Sequence, residues 1–207
     1  MTGPLQLDIV LPCDVRRSGD LDAVFDRVRR DWGRLDFLLH AIAYAPKADL
    51  QGRLVDCSAE GFAEAMAVSV HSFVHMAKLA EPLMLDGGCL LTVTFYGSER
   101  VVDHYSLMGP VKAALESVTR YLAVELAPKG IRVHALSPGP IRTRAAGGIA
   151  GFEDLLHAAE TATPEPRLAT IADVGALAAF LVSDPAAEMT GTIILVDGGL
   201  HLRAGSS

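Results

Sequence analysis

The chain has 207 residues, 50% of them hydrophobic and 21% charged, which suits one domain with a sizeable core and excludes a disordered or low-complexity chain. A formal net charge of -7, with no basic run longer than Arg29-Arg30, excludes an electrostatic nucleic-acid binder. The longest uncharged apolar stretch, residues 65–77, carries two histidines and falls short of the ~20 residues that span a bilayer.

In chain order, residues 7–11 form an apolar run ended by Pro12 and are predicted to be a buried strand. Ser18 is placed as the cap of a helix whose apolar face is Leu21, Val24, Phe25, Val28 and Trp32, with Gly33 as its stop. Residues 36–40 (DFLLH) read as a second strand, followed by a Pro/Gly-punctuated loop over residues 41–56. Ser58 opens a long helix with Phe62, Met66, Phe73 and Ala77 on one face, closing near Pro82. After the Gly87-Gly88 turn, residues 89–95 (CLLTVTF) form a third strand, and a helix is predicted over residues 105–126. Residues 131–136 form a fourth strand, and Pro138, Gly139 and Pro140 then force a loop. Helices over residues 152–159 and 171–183 precede a last strand, 192–196, and the Asp197-Gly198-Gly199 turn.

Strands apolar throughout, alternating with helices, predict an α/β fold with a parallel sheet covered on both faces. Ligands of such sheets sit beyond the carboxyl ends of the strands, so the chemistry is expected in the loops after His40, Phe95 and Leu136. Cys13, Cys57 and Cys89 form no CxxC pair, and the N-terminus lacks a signal-peptide pattern, which fits reduced thiols in a cytoplasmic protein. His71 and His75 have ligand spacing but no third ligand, so no metal site is expected. Tyr105 and Lys112 stand seven apart, about 10.5 Å of helical rise, on one face. A phenol beside an ammonium suits the polarisation of a substrate oxygen.

Tyr-x6-Lys, then SPGPIRT, then TGTIILVDGG resemble the short-chain dehydrogenase/reductase superfamily. Within it, LPCDV, LLHAIAYAP, AKLAEPLM, TVTFYGSERVV, HYSLMGPVKAALE and KGIRVHALSPGPIRTRAA resemble, in order and over essentially the whole chain, the enoyl-acyl-carrier-protein reductases of bacterial fatty acid synthesis. The Tyr-x6-Lys spacing separates these from ordinary members, which use Tyr-x3-Lys; the residue four after Tyr105 is Gly109. The resemblance implies a Rossmann-like doubly wound parallel sheet and the reduction of a trans-2-enoyl thioester on acyl carrier protein. NADH is the implied hydride donor, with NADPH as the alternative. Tyr105 would hydrogen-bond the thioester carbonyl, and Lys112 would hold the nicotinamide ribose. Asp14 and Val15 would contact adenine, and Ile42 would line the cofactor. Ile141, Arg142, Thr143, Arg144 and Ala145 would bind nicotinamide and pyrophosphate, Ala45 would lie in the substrate pocket, and Gly147 and Gly148 in the substrate-binding loop. A homotetramer is implied, as is carrier-protein docking, for which Arg100, Arg142 and Arg144 are the candidates.

Three departures stand out. Phe95 occupies the place of a second tyrosine in the catalytic set of many members, and Ala41 that of a common serine. No Gly-rich turn precedes LDIVLPCDV, so the chain reads as a single domain over residues 1–207 lacking the first two βα units, on the order of 50 residues. In that case the 7–11 strand has no obvious partner and the DFLLH strand becomes an edge. The alternatives to enoyl reduction are a 3-oxoacyl reductase or dehydrogenase and a truncated non-catalytic homologue.

Overall fold

Four short apolar runs make the framework: β1 (Phe37–His40), β2 (Gly88–Val93), β3 (Ile131–Pro138) and β4 (Ile193–Val196). The computed structural model describes residues 9–143, 151–165 and 167–203. The strands pair in parallel in the order β1-β2-β3-β4, with Leu38 opposite Leu90, Leu91 opposite His134 and Leu136 opposite Ile194. The connections carry helices α1 (Asp20–Asp31), α2 (Lys47–Gln51), α3 (Ala59–Met66), α4 (Ser72–Ala80), α5 (Met108–Leu126), α6 (Phe152–Ala162) and α7 (Ile171–Leu181).

Because successive strand side chains point to opposite faces, the central strands β2 and β3 feed two cores, whereas β1 leaves Phe37 and Leu39 exposed on its second face. On one face, Leu90 and Val133 pack with Phe25 of α1, Phe73 of α4 and Val111 and Leu115 of α5. On the other, Cys89, Leu91 and Leu136 pack against Leu181 of α7. This is the expected doubly wound α/β arrangement, with β1 as one edge of the sheet. Among the described residues no helix is long and apolar enough to cross a membrane.

Several boundaries differ from the sequence reading. Residues 7 and 8 lie outside the described residues, and residues 9–11 form no strand; Val10 is 73% exposed. An apolar run becomes a strand only where a neighbour accepts its hydrogen bonds, and none stands beside it among the described residues. The first helix is entered from Gly19, at φ 90°, and has no side-chain cap, so Ser18 does not cap it. Ser58 does cap α3, its Oγ accepting from Gly61 N at 3.0 Å. Phe62 is 41% exposed rather than in line with Phe73, because a π-turn over Ala67–His71 separates α3 from α4 and shifts the buried stripe. The loop after β1 holds α2 and a short turn, Leu54–Asp56. The long helix begins at Met108, so Tyr105 precedes it.

Candidate functional site

The carboxyl ends of β1, β2 and β3 open into a cleft of about 940 Å³. Its floor comes from Val93 and Leu136, and one wall from the Pro138-Gly139-Pro140 turn. The opposite wall is the segment after β1, held by Ser69, whose Oγ accepts from Tyr44 N at 3.0 Å and donates to Tyr44 O at 3.1 Å. Ser69 sits in the π-turn, so the irregular part of that helix fixes the cleft wall.

Tyr105 and Lys112 both line this cleft. Tyr105 reaches it from a turn between two residues in the left-handed region, His104 at φ 60° and Ser106 at φ 30°. Such backbone is costly for non-glycine residues and persists where the surroundings fix it. Here the Tyr105 ring lies 4.9 Å from the Phe95 ring, and its amide donates to Val102 O at 3.2 Å. Gly97 leaves room for the same ring: a Cβ there would lie 2.7 Å from Tyr105 Cδ1. Burial, with a contribution from the Glu116 carboxylate, pushes the Tyr105 hydroxyl well above the ordinary phenol range. The group is therefore a neutral hydrogen-bond donor at neutral pH.

Lys112 is only 5% exposed, and its Nζ donates to Val93 O at 2.7 Å. Burial pulls its ammonium down to about 8, while Glu116 opposes that shift. Glu116 is itself 4% exposed and accepts a 2.7 Å hydrogen bond from Thr94 Oγ1. At the end of β1, His40 lies between Ser72 Oγ and Thr92 Oγ1, 2.8 Å from each. Since Ser72 Oγ donates to Val68 O, His40 Nε2 donates to Ser72 and Nδ1 accepts from Thr92. Burial, and secondarily the Lys112 charge, hold this imidazole down at about 4, so it is neutral.

The other sequence-predicted residues divide. Phe95, Ile42, Ala45, Ile141 and Thr143 line the cleft with Tyr105 and Lys112. Asp14 and Val15 do not line it; the Asp14 carboxylate is held at about 2 by hydrogen bonds from Arg16, and Val15 packs at the edge of the core. Arg142 pairs with Glu153. Arg144, Ala145, Gly147 and Gly148 lie outside the described residues. Among the described residues no cluster of His, Cys, Asp or Glu has the makings of a metal centre. His40, Thr94, Gly97 and Glu116 were missed. Glu116 carried a sequence signal, a carboxylate one helical turn after Lys112, whereas the others become visible only through their contacts.

The arrangement places a neutral phenol and a buried ammonium on one mostly apolar cleft, suited to stabilising negative charge on a substrate oxygen. Residues 2–201 match the family model described as enoyl-(acyl carrier protein) reductase. Among curated relatives, the enoyl-acyl-carrier-protein reductase (NADH) of Synechocystis sp. is 44% identical over 98% of this chain and 78% of its own length. One of two such enzymes in Rhizobium meliloti is 47% identical over 91% of this chain and 70% of its own length. Among solved structures, the reductase of Bacillus cereus with NADP+ and an indole naphthyridinone superimposes with a TM-score of 0.93 at 42% identity, covering 97% of this chain and 78% of that one. The Anaplasma phagocytophilum reductase in complex with NAD gives 0.90 at 44% identity, covering 95% and 75%.

Proposed function

This chain belongs to the enoyl-acyl-carrier-protein reductase family, and from that premise we propose that its cleft reduces the carbon–carbon double bond of trans-2-enoyl-acyl-carrier-protein thioesters, with NADH as the hydride donor, in fatty acid elongation. The observation that carries this reading is the convergence of Tyr105 and Lys112 on one cleft at the strand ends. Gly109 stands four residues after Tyr105, and a Cβ there would already lie 3.0 Å from Gly97 O. Gly97 O would have to give way by a few tenths of an ångström for any side chain there, including the lysine an ordinary short-chain ketoreductase uses.

The residues present fit a nicotinamide nucleotide. The cleft volume is at the upper end for small-molecule sites, and Lys112 spends one of its three N–H donors on Val93 O. The remaining donors suit vicinal ribose hydroxyls, and the proline-flanked turn with Ile141 and Thr143 suits the nicotinamide and phosphate. When bound, the reduced nicotinamide supplies a hydride to the substrate's β-carbon. Tyr105 would donate its hydroxyl hydrogen bond to the thioester carbonyl oxygen, where negative charge would develop; the α-carbon would then take its proton from solvent. Lys112 orients the ribose and adds positive potential beside that oxygen. Phe95, tilted against the Tyr105 ring at 60°, and the apolar cleft walls keep water from competing for it. The exposed Tyr121 and Val124 on α5 offer an apolar surface to a further subunit of the homotetramer that the family resemblance implies, and the unpaired Cys13, Cys57 and Cys89 support a reducing, cytoplasmic setting.

Calorimetric titration with NADH, together with NADH oxidation on a crotonyl thioester and an acetoacetyl thioester, tests the reading. Saturable heat, a raised thermal midpoint and preference for the enoyl substrate are expected. Absence of both heat and thermal protection at saturating nucleotide overturns it. Gly97→Ala gives a finer check: its methyl displaces the Tyr105 ring, so kcat is expected to fall about tenfold or more while the NADH Kd stays within about twofold. Equal kcat in the two proteins would show that the ring tolerates the shift.

A further inference from the structure

We propose that Glu116 is a positioning residue for this reaction, a buried carboxylate anchored by Thr94 that keeps Lys112 charged beside the Tyr105 hydroxyl. The proposal rests on the roles given above to Tyr105 and Lys112. α5 presents Lys112 and Glu116 one turn apart on a single stripe, both almost wholly buried. Two consecutive residues at the end of β2 receive them: Val93 O accepts from Lys112 Nζ at 2.7 Å, and Thr94 Oγ1 donates to Glu116 Oε1 at 2.7 Å. The strand end thus brackets a cation and an anion side by side, beneath the cleft that Thr94 and Lys112 line.

An isolated buried charge is very costly, and one of opposite sign nearby offsets part of that cost. Among the described residues, two further titratable groups bear on this pair: His40 from β1 and Tyr105 from the turn before α5. His40 is neutral and hydrogen-bonded to Thr92 and Ser72, so it supplies no countercharge. Glu116 supplies it. Its negative charge favours the ammonium of Lys112 and disfavours the phenolate of Tyr105. Both effects preserve donors: N–H bonds toward the ribose and an O–H bond toward the thioester oxygen.

Glu116→Gln, which keeps the shape and an acceptor for Thr94, tests this in the full chain. The readout independent of activity is the pH midpoint of the Lys112 side chain, followed by NMR in lysine-labelled protein and assigned by loss of the signal in Lys112→Met. The midpoint is expected to fall by about one to two pH units, the Coulomb interaction of charges roughly 6–12 Å apart at an effective dielectric near 20. The alkaline limb of kcat/KM is expected to move the same way, whichever of Lys112 and Tyr105 limits it. Glu116→Asp, which keeps the charge, should stay near the parent. Where Glu116→Gln folds poorly, Glu116→Met gives the same reading with an apolar side chain of similar volume. An unmoved Lys112 midpoint in a folded charge-free variant overturns the proposal. Tyr105→Phe and Lys112→Met are measured alongside: if both leave turnover intact, the functional reading fails and this proposal with it. If both abolish turnover while the midpoint stays put, the proposal about Glu116 alone fails.

Discussion

Replacing Tyr105 by Phe is expected to lower kcat by about 10²–10³-fold while leaving NADH affinity nearly unchanged, whereas Lys112→Ala weakens both. The magnitude is that of losing one donor to a developing oxyanion, about 2.7–4 kcal/mol. The substituted phenyl ring would keep the tilted contact with Phe95 and the fit against Gly97, so the missing hydroxyl is the only change at the cleft. Lys112 differs because its Nζ is both a donor at the strand end and a source of positive charge. Its loss also leaves Glu116 as a buried carboxylate without a cation beside it. Steady-state kinetics on an enoyl thioester, paired with nucleotide titration, separates the two variants. Small and equal effects in an active preparation would refute the division of roles.

The second large effect concerns acid. His40 is 1% exposed and held at about 4, against 6.5 for an ordinary imidazole. Between those values the unfolded chain takes up a proton that the folded chain refuses, so stability rises with pH through this window. Above pH 6.5 the effect is absent; at pH 5 it amounts to a loss of about 2 kcal/mol from His40 alone. His134, also held down by burial, works in the same direction. Urea unfolding at pH 7.5 and pH 5 measures the loss. His40→Asn, which lowers stability at both pH values by disturbing the Ser72 and Thr92 contacts, is expected to flatten the difference between them. An identical pH dependence in parent and variant would show that His40 is protonated without cost in the folded state.

The legible parts of the sequence were those whose physics is local. The DFLLH and IRVHAL runs are mostly apolar, and both became sheet strands, though only the second is buried on both faces; Phe37 and Leu39 of β1 are about half exposed. The 7–11 run has the same character, but pairing is a property of two segments, and periodicity in one cannot reveal its neighbour. Predicting the long helix from residue 105 failed for a related reason. Pro110 is tolerated in the first turn of α5, whereas the backbone reversal at His104 and Ser106 leaves no mark in residue spacing. In the site, Tyr105 and Lys112 came from their spacing within a recognisable set of motifs. His40, Thr94 and Glu116 act through partners far along the chain, Thr92 and Ser72 for the first and β2 with α5 for the others.

The π-turn over Ala67–His71 carries a last consequence. It adds a residue to one winding, so the segments before and after it are out of phase by about 100° relative to an uninterrupted helix. Ser69 grips the backbone of Tyr44, and Ser72 receives His40, only because of that offset. A one-residue deletion anywhere in this stretch would regularise the winding and swing both hydroxyls off their partners.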